Sequence, residues 1–301
     1  MGLRVVWVSK RQPLIWRALI FFKALVCFLP HRTALLLGSF LGWCVEQASG
    51  RYAQKARARC ERILGVSPSK AREIISSSYS HFARAVVEFA RSPIMTEKLD
   101  ELITVHGEEH LRQAYDQGKG VILLSAHIGN WEYAGALLVR HGYAVNAIGA
   151  DQRDERITQL IASLRESVGV KPLGKGLDLK GAIRCLQRGE LLAVLLDQDA
   201  RDAGVISPFL GFPASTPIGP LKLAHKLGCK VVPGCMIRRQ DGMHYDLYLE
   251  PALEGKGGKV FGEDLQESAD ACNEAISRWI LKYPGQWLWM YPRWASTLKD
   301  R

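Results

Sequence analysis

Two hydrophobic rhythms divide the chain. The first third reads as helices. Residues 13–29 and 34–45 are two apolar runs, the first interrupted by Arg17 and Lys23 and closed by Pro30, the second containing Gly38 and Gly42. Arg51 to Arg62 is a basic helical stretch. Ser67-Pro68 then combines a capping hydroxyl with proline at the first helical position, which predicts a helix start. That helix runs to about Arg91, with Ile74, Ile75, Tyr79, Phe82, Val86 and Phe89 spaced three or four apart as one packing stripe. His81 lies beside the stripe as a structural residue.

From Ile103 the rhythm changes. Short apolar runs at 103–105, 121–126, 143–148, 191–196 and 229–237 read as strands, and 244–250 alternates as a half-exposed one. Helical patterns separate them at 108–117, 131–141, 157–168, 177–188 and 217–227, and a last one spans 265–283. Strands alternating with helices, several of them apolar throughout, predict an α/β fold with a mixed, largely parallel sheet flanked by helices. The expected division is a helical membrane-docking segment over 1–62 and an α/β domain over 63–301.

Charge sharpens the first part. The net charge is +10, yet residues 1–62 hold eleven Lys/Arg against two acids, so the remainder is nearly neutral. Nucleic-acid binding calls for a basic face on the folded domain. Basic residues interleaved with apolar ones at one end suit an anionic membrane surface instead. Neither apolar run reaches the roughly 20 uninterrupted apolar residues of a spanning helix, and no small-x-small cleavage site follows the first. Two helices lying in the interface are expected, with a single tilted span as the alternative and the cytoplasmic side as the location. The seven cysteines form no C-x-x-C pair, which fits free thiols in a reducing compartment.

The densest chemistry is Val121-Ile-Leu-Leu-Ser-Ala-His127-Ile-Gly-Asn-Trp-Glu132. A buried strand ends in an imidazole, and a carboxylate follows five residues later. On one straight helix these two would point about 140° apart. The pair can meet only if His127 ends the strand, Gly129 eases a turn and Asn130 caps the next helix. Glu132 would then orient His127 as a general base. The second fully apolar strand ends in Asp197-Gln-Asp199, and ligands of open α/β sheets bind beyond the carboxyl ends of strands. Ser125 shares the strand face of His127, but no G-x-S-x-G elbow is present. Direct attack by a substrate hydroxyl therefore fits better than an acyl-enzyme. A lipid hydrolase using Ser125 or Cys185, and a non-enzymatic lipid carrier, are the competing classes. No metal-ligand or phosphate-loop motif occurs, so neither metal nor cofactor is expected.

His127-Ile-Gly-Asn-Trp-Glu132 resembles the H-x4-(D/E) signature of lysophospholipid-type acyltransferases. With the approach Gly118-Lys-Gly-Val-Ile-Leu-Leu-Ser-Ala-His127, the block Pro208-Phe-Leu-Gly-Phe-Pro-Ala-Ser-Thr216 and the ending Pro284-Gly-Gln-Trp-Leu-Trp289, the chain is similar to the lipid A biosynthesis (late, secondary) acyltransferases. The tail departs in keeping one arginine, Arg293, where the family often has a histidine and paired arginines. The resemblance implies transfer of a fatty acyl chain from acyl carrier protein to a hydroxyl of a lipid A precursor at the inner membrane, the site facing the cytoplasm. A lysophospholipid or phosphatidylinositol mannoside is the alternative acceptor. It implies His127 as base, Glu132 as its partner, and Asp197, Asp199, Arg165 and Asn130 around the substrate.

Overall fold

The computed structural model describes residues 12–149, 152–174 and 179–298. Arg4, Lys10 and Arg11 of the basic stretch, and the start of the helix expected over 177–188, lie outside these residues. Four helices come first: α1 (Gln12–Phe28), α2 (His31–Ser49), α3 (Arg51–Leu64) and α4 (Pro68–Met95). A short turn, α5 (Leu99–Leu102), leads to β1 (Ile103–His106), α6 (Glu108–Tyr115), β2 (Val121–Ser125), α7 (Trp131–Arg140), β3 (Val145–Ile148) and α8 (Glu155–Glu166). Next are β4 (Lys171–Leu173), α9 (Leu179–Gln187), β5 (Leu191–Leu195) and the pair β6 (Gly204–Phe209) and β7 (Phe212–Pro217). The chain closes with α10 (Gly219–Leu227), β8 (Lys230–Arg238), β9 (Tyr245–Leu249) and α11 (Leu265–Lys282).

Seven strands form one sheet in the order β1-β9-β8-β2-β5-β3-β4. The five from β8 to β4 are mutually parallel, whereas β9 pairs antiparallel with β8 and carries β1 parallel to itself. This is the mixed, largely parallel α/β sheet expected. Its central strands are buried on both sides because alternate residues feed two cores. Ile122 and Leu124 join one core with α9, α10 and α11, and Val121 and Leu123 join the other with α6 and α7. The expectations missed β4, which is three residues long and contains Pro172, and the β6–β7 hairpin, which holds Pro208, Pro213 and Pro217. Proline removes a ladder donor and masks a strand in sequence.

Helix α4 is the long axis between the N-terminal helices and the sheet. Ser67 caps it, accepting from the Lys70 amide at 3.3 Å, with Pro68 at its first position. Gly38 and Gly42 let α2 lie close against it: a Cβ at Gly42 would stand 2.6 Å from the Tyr79 carbonyl oxygen. Arg91 donates to the carbonyls of Val26 and Leu29 and so holds the end of α1. Among the described residues no helix is long and apolar enough to cross a membrane.

On its other side, α4 buries Glu88 against the sheet. Arg238 of β8 binds this carboxylate with two N–H groups at 2.8 and 2.6 Å, Tyr245 of β9 donates its hydroxyl, and Asn130 donates at 2.9 Å. Neighbouring His81 is held neutral: burial, with the nearby Arg238 and Arg84 charges, pushes its pKa down to about 3. A buried ion pair stripped of one partner leaves a charge without compensation. We expect Glu88→Ala to cost about 3–5 kcal/mol of stability, measured as a shift of the denaturant midpoint. A loss under about 1 kcal/mol would show that the pair is not the tie it looks like.

Candidate active site

The site stands at the carboxyl ends of β2 and β5. These strands are adjacent and in register, Ser125 opposite Leu195. His127 and Asp197 each lie two residues further on, so the sheet delivers them side by side. Asp197 Oδ1 accepts from His127 Nδ1 at 2.8 Å, and Oδ2 accepts from the His127 amide at 2.9 Å. The Trp287 indole N–H donates to the same Oδ2 at 2.8 Å. Three donors thus surround a carboxylate that is only 3% exposed.

The turn after His127 is built as expected, with Gly129 at φ 63° and Asn130 capping α7 through the Tyr133 amide at 3.0 Å. A Cβ at Gly129 would sit 1.6 Å from the Met236 carbonyl oxygen, so both the conformation and the space require glycine. The tail closes the turn from the other side. Ile128 bridges Trp287, Gly129 N–H donates to the Gln286 carbonyl, and Leu288 N–H donates to the His127 carbonyl. Trp287 itself is wedged among Phe209, Trp289 and Trp294. Arg293, fully buried, anchors the tail on the Ser215 carbonyl and the Thr216 hydroxyl.

The expected partner of His127 was Glu132, and here the structure differs. Glu132 forms a two-point ion pair with Arg165 at 3.0 and 2.6 Å and accepts from the Trp131 indole at 3.2 Å. The carboxylate in contact with the imidazole is Asp197. The reason is geometric: the turn at Gly129-Asn130 starts α7 beside the sheet, and α8 brings Arg165 to the first turn of α7. Asp199 also has other work. Its carboxylate accepts from the Arg201 and Ser296 amides and the Ser296 hydroxyl, clamping the tail, and makes no hydrogen bond to His127. Asn130 is completely buried with its oxygen on the Tyr133 amide and its nitrogen on Glu88, which leaves it a helix cap and not a substrate contact. The sequence reading assigned no role to Trp287; its only signal was its place in the family-like ending.

Electrostatics follow from this geometry. Burial disfavours the imidazolium of His127, but the charge and hydrogen bond of Asp197, aided by the charge of Glu132, exceed it, so the pKa is raised. Burial alone would raise the carboxyl of Asp197; the His127 charge and the N–H donors around it more than offset this, and its pKa is lowered. Nδ1–H is committed to Asp197, which leaves Nε2 as the lone-pair nitrogen. Among the described residues nothing hydrogen-bonds Nε2, no hydroxyl or thiol hydrogen-bonds the ring, and no group of His, Cys, Asp and Glu is arranged to hold a metal. The Cys185 thiol is buried on α9 with its pKa pushed up to about 11, chiefly by burial.

Beside the imidazole, Trp131 packs edge-on at 5.0 Å and also lines a crevice between α7 and the sheet. The crevice is partly open to solvent. Its rim carries Glu132 and Arg165, and its interior is apolar, floored by Leu123, Ala147 and Ala193.

A family model for bacterial lipid A biosynthesis acyltransferases matches residues 8–296. The chain belongs to this family. It is similar to a phosphatidylinositol mannoside acyltransferase of Mycolicibacterium smegmatis, at 28% identity over 84% of this chain and 85% of the relative. A phosphatidylinositol mannoside acyltransferase of Mycobacterium tuberculosis is 27% identical over 82% and 78% of the two chains. The lipid A biosynthesis palmitoleoyltransferase of Escherichia coli is 24% identical over 89% and 87%. An acyltransferase with a lipid acceptor is therefore the frame in which the His127–Asp197 pair and the crevice are to be read.

The pair also makes a statement about pH. Asp197, lowered in the fold, contributes stability above the ordinary carboxyl pKa of about 3.9 and loses it as pH falls. His127, raised in the fold, contributes below about 6.5 and loses that contribution as pH rises through its folded value. In an NMR titration of the acyltransferase, His127 should titrate above the ordinary imidazole value. In Asp197→Asn, burial acts without the counter-charge, and the titration should fall below it. An unchanged midpoint in the variant would show that Asp197 does not set the His127 proton affinity.

Proposed function

We propose that the protein transfers a fatty acyl chain from acyl carrier protein to a hydroxyl of a glycolipid of the lipid A precursor class, at the cytoplasmic face of the inner membrane. The observation that carries this reading is His127, fixed by Asp197 through Nδ1 and unpartnered at Nε2, next to an apolar crevice with a charged rim. His127 Nε2 takes the proton of the acceptor hydroxyl as its oxygen attacks the thioester carbonyl. The tetrahedral intermediate collapses with cleavage of the C–S bond. The imidazolium returns its proton to the leaving thiolate, giving an ester and a free thiol. Asp197 holds the ring and stabilises the imidazolium.

Arg165 uses Nε and Nη2 for Glu132, which leaves Nη1 to donate to the carbonyl oxygen as charge develops. Glu132 thereby acts on the reaction by aiming Arg165. The hydrocarbon of the donor lies in the crevice. A phosphatidylinositol mannoside acceptor is the second reading, favoured by the slightly higher identity to the mycobacterial enzymes.

Membrane docking fits the surface of the N-terminal helices. Leu14, Phe21, Leu25 and Phe28 form an exposed stripe on α1, and Leu36, Phe40 and Trp43 form another on α2. Phe28 is 87% exposed and Phe40 stacks on Trp43, and the exposed Arg17 of α1 and Arg32 of α2 lie at helical spacing from these stripes. Phe82 of α4, half-exposed, stacks on Trp131 beside the site.

The decisive experiment is transfer from a series of labelled acyl carrier proteins to a lipid extract of the host, read by mass spectrometry. His127→Ala should lower transfer by about 10²–10⁴-fold, and Ser125→Ala should retain it. Wild-type rates in His127→Ala would end the general-base reading, and loss in Ser125→Ala would favour a covalent one. For docking, a protein carrying both Phe40→Glu and Trp43→Glu should no longer sediment with phosphatidylglycerol-containing vesicles. Undiminished sedimentation would place the membrane contact elsewhere.

A further inference from the structure

Gly135 sits in the interior of α7, fully enclosed, in the roof of the crevice. Glycine is the least favourable residue of a helix interior after proline, so its presence asks for a reason. Neither the backbone nor the packing supplies one. Its φ is not positive, and a Cβ built there meets only Val170 Cγ2, at 3.4 Å, an ordinary van der Waals distance. By contrast, Gly38, Gly42 and Gly129 would each drive a Cβ into a close neighbour. What a side chain at 135 would occupy is the crevice.

The crevice has a direction. Its walls reach from Leu247 of β9 across β8, β2 and β5 to Val145 of β3. That is four strand spacings, about 19 Å at roughly 4.8 Å each. On the proposed mechanism, the reacting end is the one lined by Trp131, Glu132 and Arg165, where α7 begins. Gly135 is three residues further along α7, about 4.5 Å at 1.5 Å per residue, facing Val170 on the β3 side. Small residues continue along this branch, with Ala134 in the roof and Ala147 and Ala193 in the floor.

We propose that Gly135 sets the length of acyl chain that the crevice admits, by leaving open the branch that ends on Val145 and Val170. This rests on the reading of the crevice as the seat of the donor hydrocarbon. A methyl at position 135 removes space near Val170, and a larger side chain closes the branch against Ala147. A hydrophobic pocket discriminates chains differing by a methylene or two by about 10–200-fold, so a small side chain suffices to change the preferred length.

The test presents wild type, Gly135→Ala and Gly135→Leu with an equimolar mixture of acyl carrier protein thioesters of graded even length and a lipid extract, and reads the products by mass spectrometry. Wild type should show one preferred length. In Gly135→Ala the ratio of that length to the next shorter one should fall about tenfold or more. In Gly135→Leu the optimum should move shorter still. The melting temperature of Gly135→Ala should rise, since alanine is the better helix former. A folded Gly135→Ala with the wild-type length distribution would overturn the proposal, as would an equal loss at every length. Gly135→Ala decides the matter even if Gly135→Leu does not fold. If wild type transfers no chain from any donor, the acyl-transfer reading itself falls, and this proposal with it.

Discussion

Asp197 is a negative charge shut away from water, and the architecture around it exists to make that tolerable. Burying an unpaired carboxylate is costly enough that the group would instead take up a proton. Here it keeps its charge because three N–H groups converge on it, two from His127 and one from Trp287. Each donor depends on a different long-range feature. The ring and amide of His127 arrive because β2 and β5 are neighbours in register. The indole arrives because the tail runs back against residues 127–129 and wedges between aromatic rings. Loosening the sheet register or the tail would therefore be felt first as a change in the proton affinity of His127.

A second buried carboxylate, Glu88, does for the helical layer what Asp197 does for the sheet. It takes Arg238 and Tyr245 from β8 and β9 and Asn130 from the start of α7. The same α4 holds α1 through Arg91, approaches α2 across Gly38 and Gly42, and donates the Ser78 hydroxyl to the Trp287 carbonyl. One helix thus touches the exposed apolar hairpin, the cap of the turn after His127 and the tail. On the proposed function, this ties the exposed apolar stripes of α1 and α2 and the His127 imidazole to a common frame.

Much of this was legible in the sequence because it is local. Ser67-Pro68, the apolar runs of β2 and β5, and the turn at Gly129-Asn130 are each specified by adjacent residues. The partner of His127 was not, because it depends on which strands are neighbours. His127 and Asp197 stand at equal distances beyond two fully apolar strands, a clue that acquires meaning only once β2 is known to lie beside β5. Glu132 was the nearer carboxylate in sequence, and proximity in sequence suggested the wrong contact. Asn130 was expected as the cap of α7 and is one; the family resemblance placed it and Asp199 around the substrate, but a carboxylate and an amide serve equally well as clamp and cap. The prolines of β6 and β7 hid a hairpin whose Phe209 supports Trp287.

The two carboxylates near His127 act on it unequally, and the inequality has a chemical use. Asp197 touches the ring and, among the described residues, hydrogen-bonds no cation other than the imidazole, so its charge favours imidazolium. Glu132 is paired with Arg165, and the two act on the ring in opposite directions, Glu132 raising and Arg165 lowering the His127 pKa. A second carboxylate without a cation would raise the proton affinity of the ring further. Had neither been present, burial would leave it too weak a base. On the proposed mechanism, the direct carboxylate raises the basicity of the ring and the second keeps a guanidinium beside the space where negative charge would form.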